Sequence, residues 1–183
     1  MLTTHVVATM VLAAELLSKG VTSMAESYMA EYSANAVQTV NPGESVIFTN
    51  TSVPCNRGII RHRDDTGSFL VAGGPVPRKR CGCPVYNSFT PVLVEFGANI
   101  AIPTGGTVGE ISLALVIDGT TVPSSTMIAT PAAVEEYSNV AVAVSVPVWV
   151  GCCETISVRN TSDQPILVQN ANIILTRKSA VSR

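Results

Sequence analysis

Two histidines, five cysteines and an uneven set of arginines are the residues of this chain whose types could do chemistry. His62 lies in Arg61-His62-Arg63-Asp64-Asp65, where a carboxylate close to an imidazole is two-thirds of a nucleophilic triad. No Gly-x-Ser-x-Gly elbow supplies the nucleophile, so the segment reads better as a solvated, charged turn. His5 stands alone near the N-terminus, and neither a His-Glu-x-x-His pair nor an EF-hand loop is present. Asp64, Asp65, Asp118 and Asp163 fall in turn-like segments, where one could help hold calcium but where aspartate commonly shapes the backbone. Gly105-Gly106-Thr107-Val108-Gly109 lacks the Gly-Lys-Ser/Thr ending of a phosphate loop and reads as a hairpin connection. The expectation is no catalytic residue, no metal and no cofactor.

The five thiols are Cys55, Cys81, Cys83, Cys152 and Cys153. An odd number cannot all pair within one chain. Cys81 and Cys83 are separated by one residue, not by the two to four usual in zinc sites. Cys152 and Cys153 are adjacent, a poor geometry for a relaxed disulfide. Free thiols in a reducing compartment are one reading. A bridge from Cys55 to Cys81 or Cys83, tying down a loop, is the other.

Arg57, Arg61, Arg63, Arg78, Lys79 and Arg80 supply six of the eleven cationic side chains. Brought together by a fold, they would form a positive patch able to meet an anionic surface or glycan. The alternative is a solvated rim that keeps an apolar protein in solution. No aromatic residue interleaves with these arginines to stack bases, and the net charge is −2, so nucleic-acid binding is not expected.

These side chains need elements to position them. The chain has 183 residues and a mass of 19.1 kDa, enough for one domain with an appendage. Apolar residues make up 46% and charged residues 13%, which excludes a disordered, charge-rich chain. No run reaches the roughly 18 apolar residues of a membrane span. Val6 to Ala14 is as long as a short signal core, but no cationic region precedes it and Glu15 follows directly. Residues 5–34 are predicted to be helical, with Thr3 or Thr4 as cap. Val7, Met10, Ala14, Leu17, Val21, Met24 and Tyr28 follow alternating spacings of three and four, a heptad seam of about three heptads. Such a seam packs either on its own domain or on further copies of the chain. Residues 1–35 are therefore set apart as a helical stalk or anchor.

From Asn35 the period changes to two, with valine and threonine abundant and lysine scarce. Strands are predicted near 36–40, 44–50, 58–63, 68–72, 92–102, 110–117, 121–130, 141–150, 154–160 and 166–177. Asn41-Pro42-Gly43, Asp118-Gly119 and Pro103-Thr104-Gly105-Gly106 are the clearest turns between them. Short strands joined by such turns, without helical alternation, make residues 36–183 an antiparallel β-sandwich or barrel. Residues 73–91, with four prolines, a basic triplet and two cysteines, are expected to be one long irregular loop.

Val92-Leu93-Val94-Glu95-Phe96-Gly97-Ala98-Asn99-Ile100 resembles the central strand of the tumour-necrosis-factor and complement-C1q-like jelly rolls. The stretch from Ile111 to Pro123, a strand, an Asp-Gly turn and a returning strand, resembles the same group. The likeness extends to the C-terminal heads of bacterial collagen-like spore-surface proteins and to trimeric heads of bacteriophage head fibres and capsid decorations. In that comparison Thr155–Asn160 is the penultimate strand, and Gln169–Leu175 is the last, near a three-fold axis. The resemblance implies a mainly β protein: an antiparallel two-sheet jelly roll, here preceded by one N-terminal α-helix. It also implies a tight homotrimer without enzymatic activity. A collagen tract is absent and a short helix stands in its place, so the resemblance favours a virion part over a bacterial cell or spore surface. The expected partners are then a capsid or other virion protein, held through the helix, and a host-surface glycan.

Overall fold

The computed structural model describes residues 28–55, 58–63, 66–75, 88–178 and 181–182. Among the described residues the regular elements are thirteen strands and one turn of 3-10 helix at Pro123–Ser125. The strands are β1 (Tyr28–Ala34), β2 (Gln38–Val40), β3 (Asn50–Val53), β4 (Ile60–Arg63), β5 (Ser68–Ala72), β6 (Ser88–Ala101) and β7 (Ile111–Ile117). They continue as β8 (Thr120–Thr121), β9 (Met127–Ala129), β10 (Ser138–Trp149), β11 (Cys153–Asn160), β12 (Ile166–Arg177) and β13 (Val181–Ser182).

The strands form two antiparallel sheets. One runs β10-β6-β12-β1-β3, with β13 on β6 and β2 on β12. The other runs β4-β5-β11-β7-β8, with β9 on β7. The order is not sequential, because β12 returns from the end of the chain to lie between β6 and β1. Alternation of apolar and polar residues places one side of each strand in the space between the sheets. Val92, Val94, Phe96, Leu113, Leu115, Ile156, Ile173 and Leu175 meet there and are buried. Phe48, Phe69, Phe96 and Tyr32 form an aromatic cluster at its centre, with ring centroids 4.9–6.4 Å apart.

The expected turns form where their residue types require. Glu44 N–H donates to the Asn41 carbonyl, and Gly43 takes the positive φ (78°) that follows proline in a type II turn. Asp118 and Gly119 are both left-handed, with φ of 47° and 84°, as the two-residue β7–β8 hairpin demands. Asn160 is buried and ties three connections together. Its Nδ2 donates to the carbonyls of Val40 and Gln164, and its Oδ1 accepts from Ser162 N–H.

Four expectations need correction. The helix predicted over 5–34 does not include its last seven residues. Tyr28–Ala34 is β1, paired along its length with β12 from Arg177 to Ala171. Tyr-Met-Ala-Glu-Tyr-Ser-Ala has period two and shares only Tyr28 with the heptad seam, and burying Ala30, Tyr32 and Ala34 against the core decides for the strand. Tyr28 is thus a strand residue, not a seam residue. Val7, Met10, Ala14, Leu17, Val21 and Met24 lie outside the described residues. Secondly, the strand expected over 44–50 reduces to a single bridge between Ser45 and Arg159, with pairing resuming at Asn50. Thirdly, 121–130 is broken by Pro123 into β8, the 3-10 turn and β9. Lastly, Ser88–Pro91 belongs to β6 and not to an irregular loop. Pro91 is tolerated because it faces Pro147 on the edge strand β10, while its carbonyl accepts Lys178 N–H at the end of β12.

Candidate functional site

His62 lies in strand β4. Its strand register turns the imidazole inward, stacked on Phe69 at 4.8 Å and tilted against Tyr32 at 5.0 Å. It is an aromatic member of the core margin. Asp64 and Asp65 lie outside the described residues. Among the described residues no group of three His, Cys, Asp or Glu side chains could hold a metal. Asp118 and Glu154 do meet. Asp118 Oδ1 accepts Thr155 N–H at 2.7 Å, which holds its carboxyl below the usual range, with help from a Glu154 hydrogen bond. Burial first, and then the hydrogen bond and charge of Asp118, push Glu154 up to about 7. The pair stabilises the start of β11, and no nucleophile is assigned to it.

The cysteines divide between the described and the remaining residues. Cys55 is a half-buried free thiol packed against the core margin, and Cys152 and Cys153 are exposed free thiols at the β10–β11 turn. Cys81 and Cys83 lie outside the described residues, as do Arg57, Arg78, Lys79 and Arg80. Arg61 and Arg63 are exposed on the edge strand β4 and point away from the core, opposite to His62. The sequence patch is therefore placed only in these two members.

The most extended surface feature is the outer face of the seven-stranded sheet. From β10 it takes Asn139, Ala141, Ala143, Ser145, Pro147 and Trp149, all exposed. From β6 it takes Phe89, Pro91, Leu93, Glu95, Gly97 and Asn99, and from β12 Leu167, Gln169, Asn172, Ile174 and Thr176. Across these three strands Glu95 is the one charged outward residue. A solvated sheet face normally alternates core residues with charged or polar ones, whereas this one alternates them with alanine, leucine, proline and amides. A concavity of about 470 Å³ lies in its middle, between Glu95, Gly97, Ala141, Ala143, Asn172 and Ile174. Phe89 and Trp149 cross edge to face at one end, 5.9 Å between centroids, with Trp149 40% exposed. Asn99 and Asn139 are hydrogen-bonded at the other end. Sequence reasoning did not select these residues, although their signal was present: period two tells which residues leave the core, and the absence of charge among them marks the face.

No protein-family model matches the chain, and no curated protein matches it. Solved structures do. The globular domain of zebrafish complement 1qA protein is similar at a TM-score of 0.52 and 10% identity, over 82% of this chain and 94% of that one. The Eiger TNF of S. frugiperda is similar at a TM-score of 0.55 and 12% identity, over 86% of this chain and 96% of that one. The fold is therefore that of the tumour-necrosis-factor and C1q-like jelly rolls.

Proposed function

We propose that this chain is a non-enzymatic structural subunit that closes into a homotrimer through the outer face of its seven-stranded sheet. The observation that carries the reading is that face: long, and almost free of charge across β10, β6 and β12. Interface cores are depleted in charge and enriched in aromatic anchors, as Trp149 and Phe89 would be. The resemblance of residues 92–177 to trimeric jelly-roll heads supports three copies, which a ring of heterologous contacts would close. In the same reading the trimer is a head fibre or capsid decoration of a bacteriophage particle, attached to a capsid or other virion protein through the residues before Tyr28.

Light scattering on the full chain tests the assembly. A mass near three chains of 19.1 kDa supports it, and a monomer at micromolar concentration overturns it. The location is tested separately, by looking for the chain in gradient-purified phage particles and in washed cells or spores. Recovery with cells or spores alone replaces the virion with a bacterial surface.

A further inference from the structure

The two outer faces of the sandwich differ in charge along their strands. On the seven-stranded sheet the outward residues of β1, β6, β10 and β12 include Glu31 and Glu95 but no lysine or arginine. On the other sheet the outward residues of β4, β5, β11 and β7 include Arg61, Arg63 and Arg159, and the one carboxylate beside them is Asp118 of the β7–β8 turn, held on Thr155. Register places the three arginines on one face, with Ser157, between Arg63 and Arg159, itself buried. Arg63 faces Ser68, and Ser68 faces Ser157, which lies one outward position before Arg159 on β11. Arg61 faces Leu70, and Leu70 faces Thr155. Arg61 and Arg63 are thus about 7 Å apart along one strand, and Arg159, two strands across and one outward position further on, is roughly 12 Å from Arg63. Among the described residues none of the three guanidiniums is in an ion pair. Arg61 Nε donates to the Gly58 carbonyl, which fixes its direction. Arg159 Nε is buried and has no hydrogen-bond partner. A desolvated donor of this kind favours a ligand that brings an acceptor.

We infer that this face binds an acidic polysaccharide, with Arg61, Arg63 and Arg159 holding carboxylate or sulfate groups and the hydroxyl of Ser68 meeting the sugar between them. Guanidinium forks suit planar or tetrahedral oxyanions. The face offers no aromatic side chain on which a base could stack, which disfavours nucleic acid. Leu70 on β5 and Ile128 on β9 are its large apolar side chains that are not buried, two separated residues and too little to enter a lipid surface. The inference does not depend on the trimer. Copies of the face on one particle would add avidity.

The test uses the full chain on immobilised dextran sulfate and, in solution, polygalacturonate, at about 50 mM salt where polyanion contacts are strong. Both are expected to bind and uncharged dextran is not. Arg61→Ser with Arg63→Ser should weaken binding about tenfold or more and flatten its salt dependence. Arg63→Lys, which keeps the charge, should lose less than Arg63→Ser. Replacing Arg78, Lys79 and Arg80 by serine should leave binding in place. Absence of binding to both polymers overturns the inference, as does binding that survives the Arg61/Arg63 pair but fails with the triple change. Equal, arginine-dependent binding of single-stranded DNA or phosphatidylserine vesicles also overturns it, since the surface would then not select polysaccharide.

Discussion

Arg177 is 8% exposed at the end of β12, and no carboxylate neutralises it. Its Nη2 donates to the Gly73 carbonyl at 3.1 Å, its guanidinium lies 5.4 Å from the Tyr28 ring centroid, and its Nε has no partner. A buried cation in this state is held by geometry more than by energy, because its desolvation is scarcely offset. The Gly73 carbonyl has a second donor, Thr90 Oγ1 at 2.7 Å. Arg177→Met should therefore leave the melting temperature unchanged or raise it, since Thr90 still satisfies the carbonyl and an apolar chain fills the site. A loss of more than about 2 kcal/mol in denaturant unfolding would show that the guanidinium is instead a net support. Gly73 itself is constrained for a different reason. A Cβ there would run into the Trp149 carbonyl, so Gly73→Ala must move backbone and should cost about 1–3 kcal/mol or more. Gly119→Ala meets nothing within 4 Å, and the left-handed φ alone should cost about 1 kcal/mol.

At the level of elements, the β7–β8 hairpin and the start of β11 are joined by a pH-sensitive contact. Glu154 is raised to about 7 by burial and by Asp118. A carboxyl raised in the folded state contributes fully below its ordinary value, and that contribution is lost as pH rises through about 7. Asp118 is lowered, so its contribution is present above its ordinary range and fades only as pH falls below it. Thermal stability should accordingly decline between pH 5 and pH 8, by about 1 kcal/mol or less because solvent screens the half-exposed pair. Glu154→Gln keeps an amide donor toward Asp118 and should flatten that decline; an unchanged slope would assign it to other groups. The same hairpin shows what was legible in the sequence. Asp118-Gly119 announces its turn through local backbone chemistry, and β5 and β12 match their predicted limits because alternation and turn residues agree there. β1 reads as helix because the heptad seam that ends at Tyr28 is carried on past its last apolar member, and the partner strands β12 and β3 decide otherwise. Ser88–Pro91 reads as irregular because Pro91 and the prolines before it conceal a ladder that β10 and β13 complete. Arg61 and Arg63 were visible as a patch, whereas Arg159 joins them only through register across two strands.

For the whole molecule, the decisive property is that the outer face of the seven-stranded sheet lacks the charge that normally keeps such a face in water. Ala141 and Ala143 are exposed in the single chain, so larger side chains there meet no core and should leave folding intact. Ala143 faces Glu95 directly across the β10–β6 ladder, and Ile174 faces Glu95 from the other side. An arginine at 143 would reach Glu95 within its own chain, fill the concavity and present a desolvation cost to any neighbouring copy. A glutamate at 141 would place like charge on the same face without offering a partner. Both Ala143→Arg and Ala141→Glu should convert the assembly to monomers, with melting transitions that become independent of protein concentration. Trp149→Ala removes an anchor without adding charge, so it should weaken association by about 2 kcal/mol, seen as a mass that falls on dilution while the other two variants are monomeric throughout. Arg63→Ser, on the opposite sheet, should leave the mass unchanged. If all four variants keep the oligomeric mass of the starting chain, association does not use this face, and the charge-free strands need another explanation.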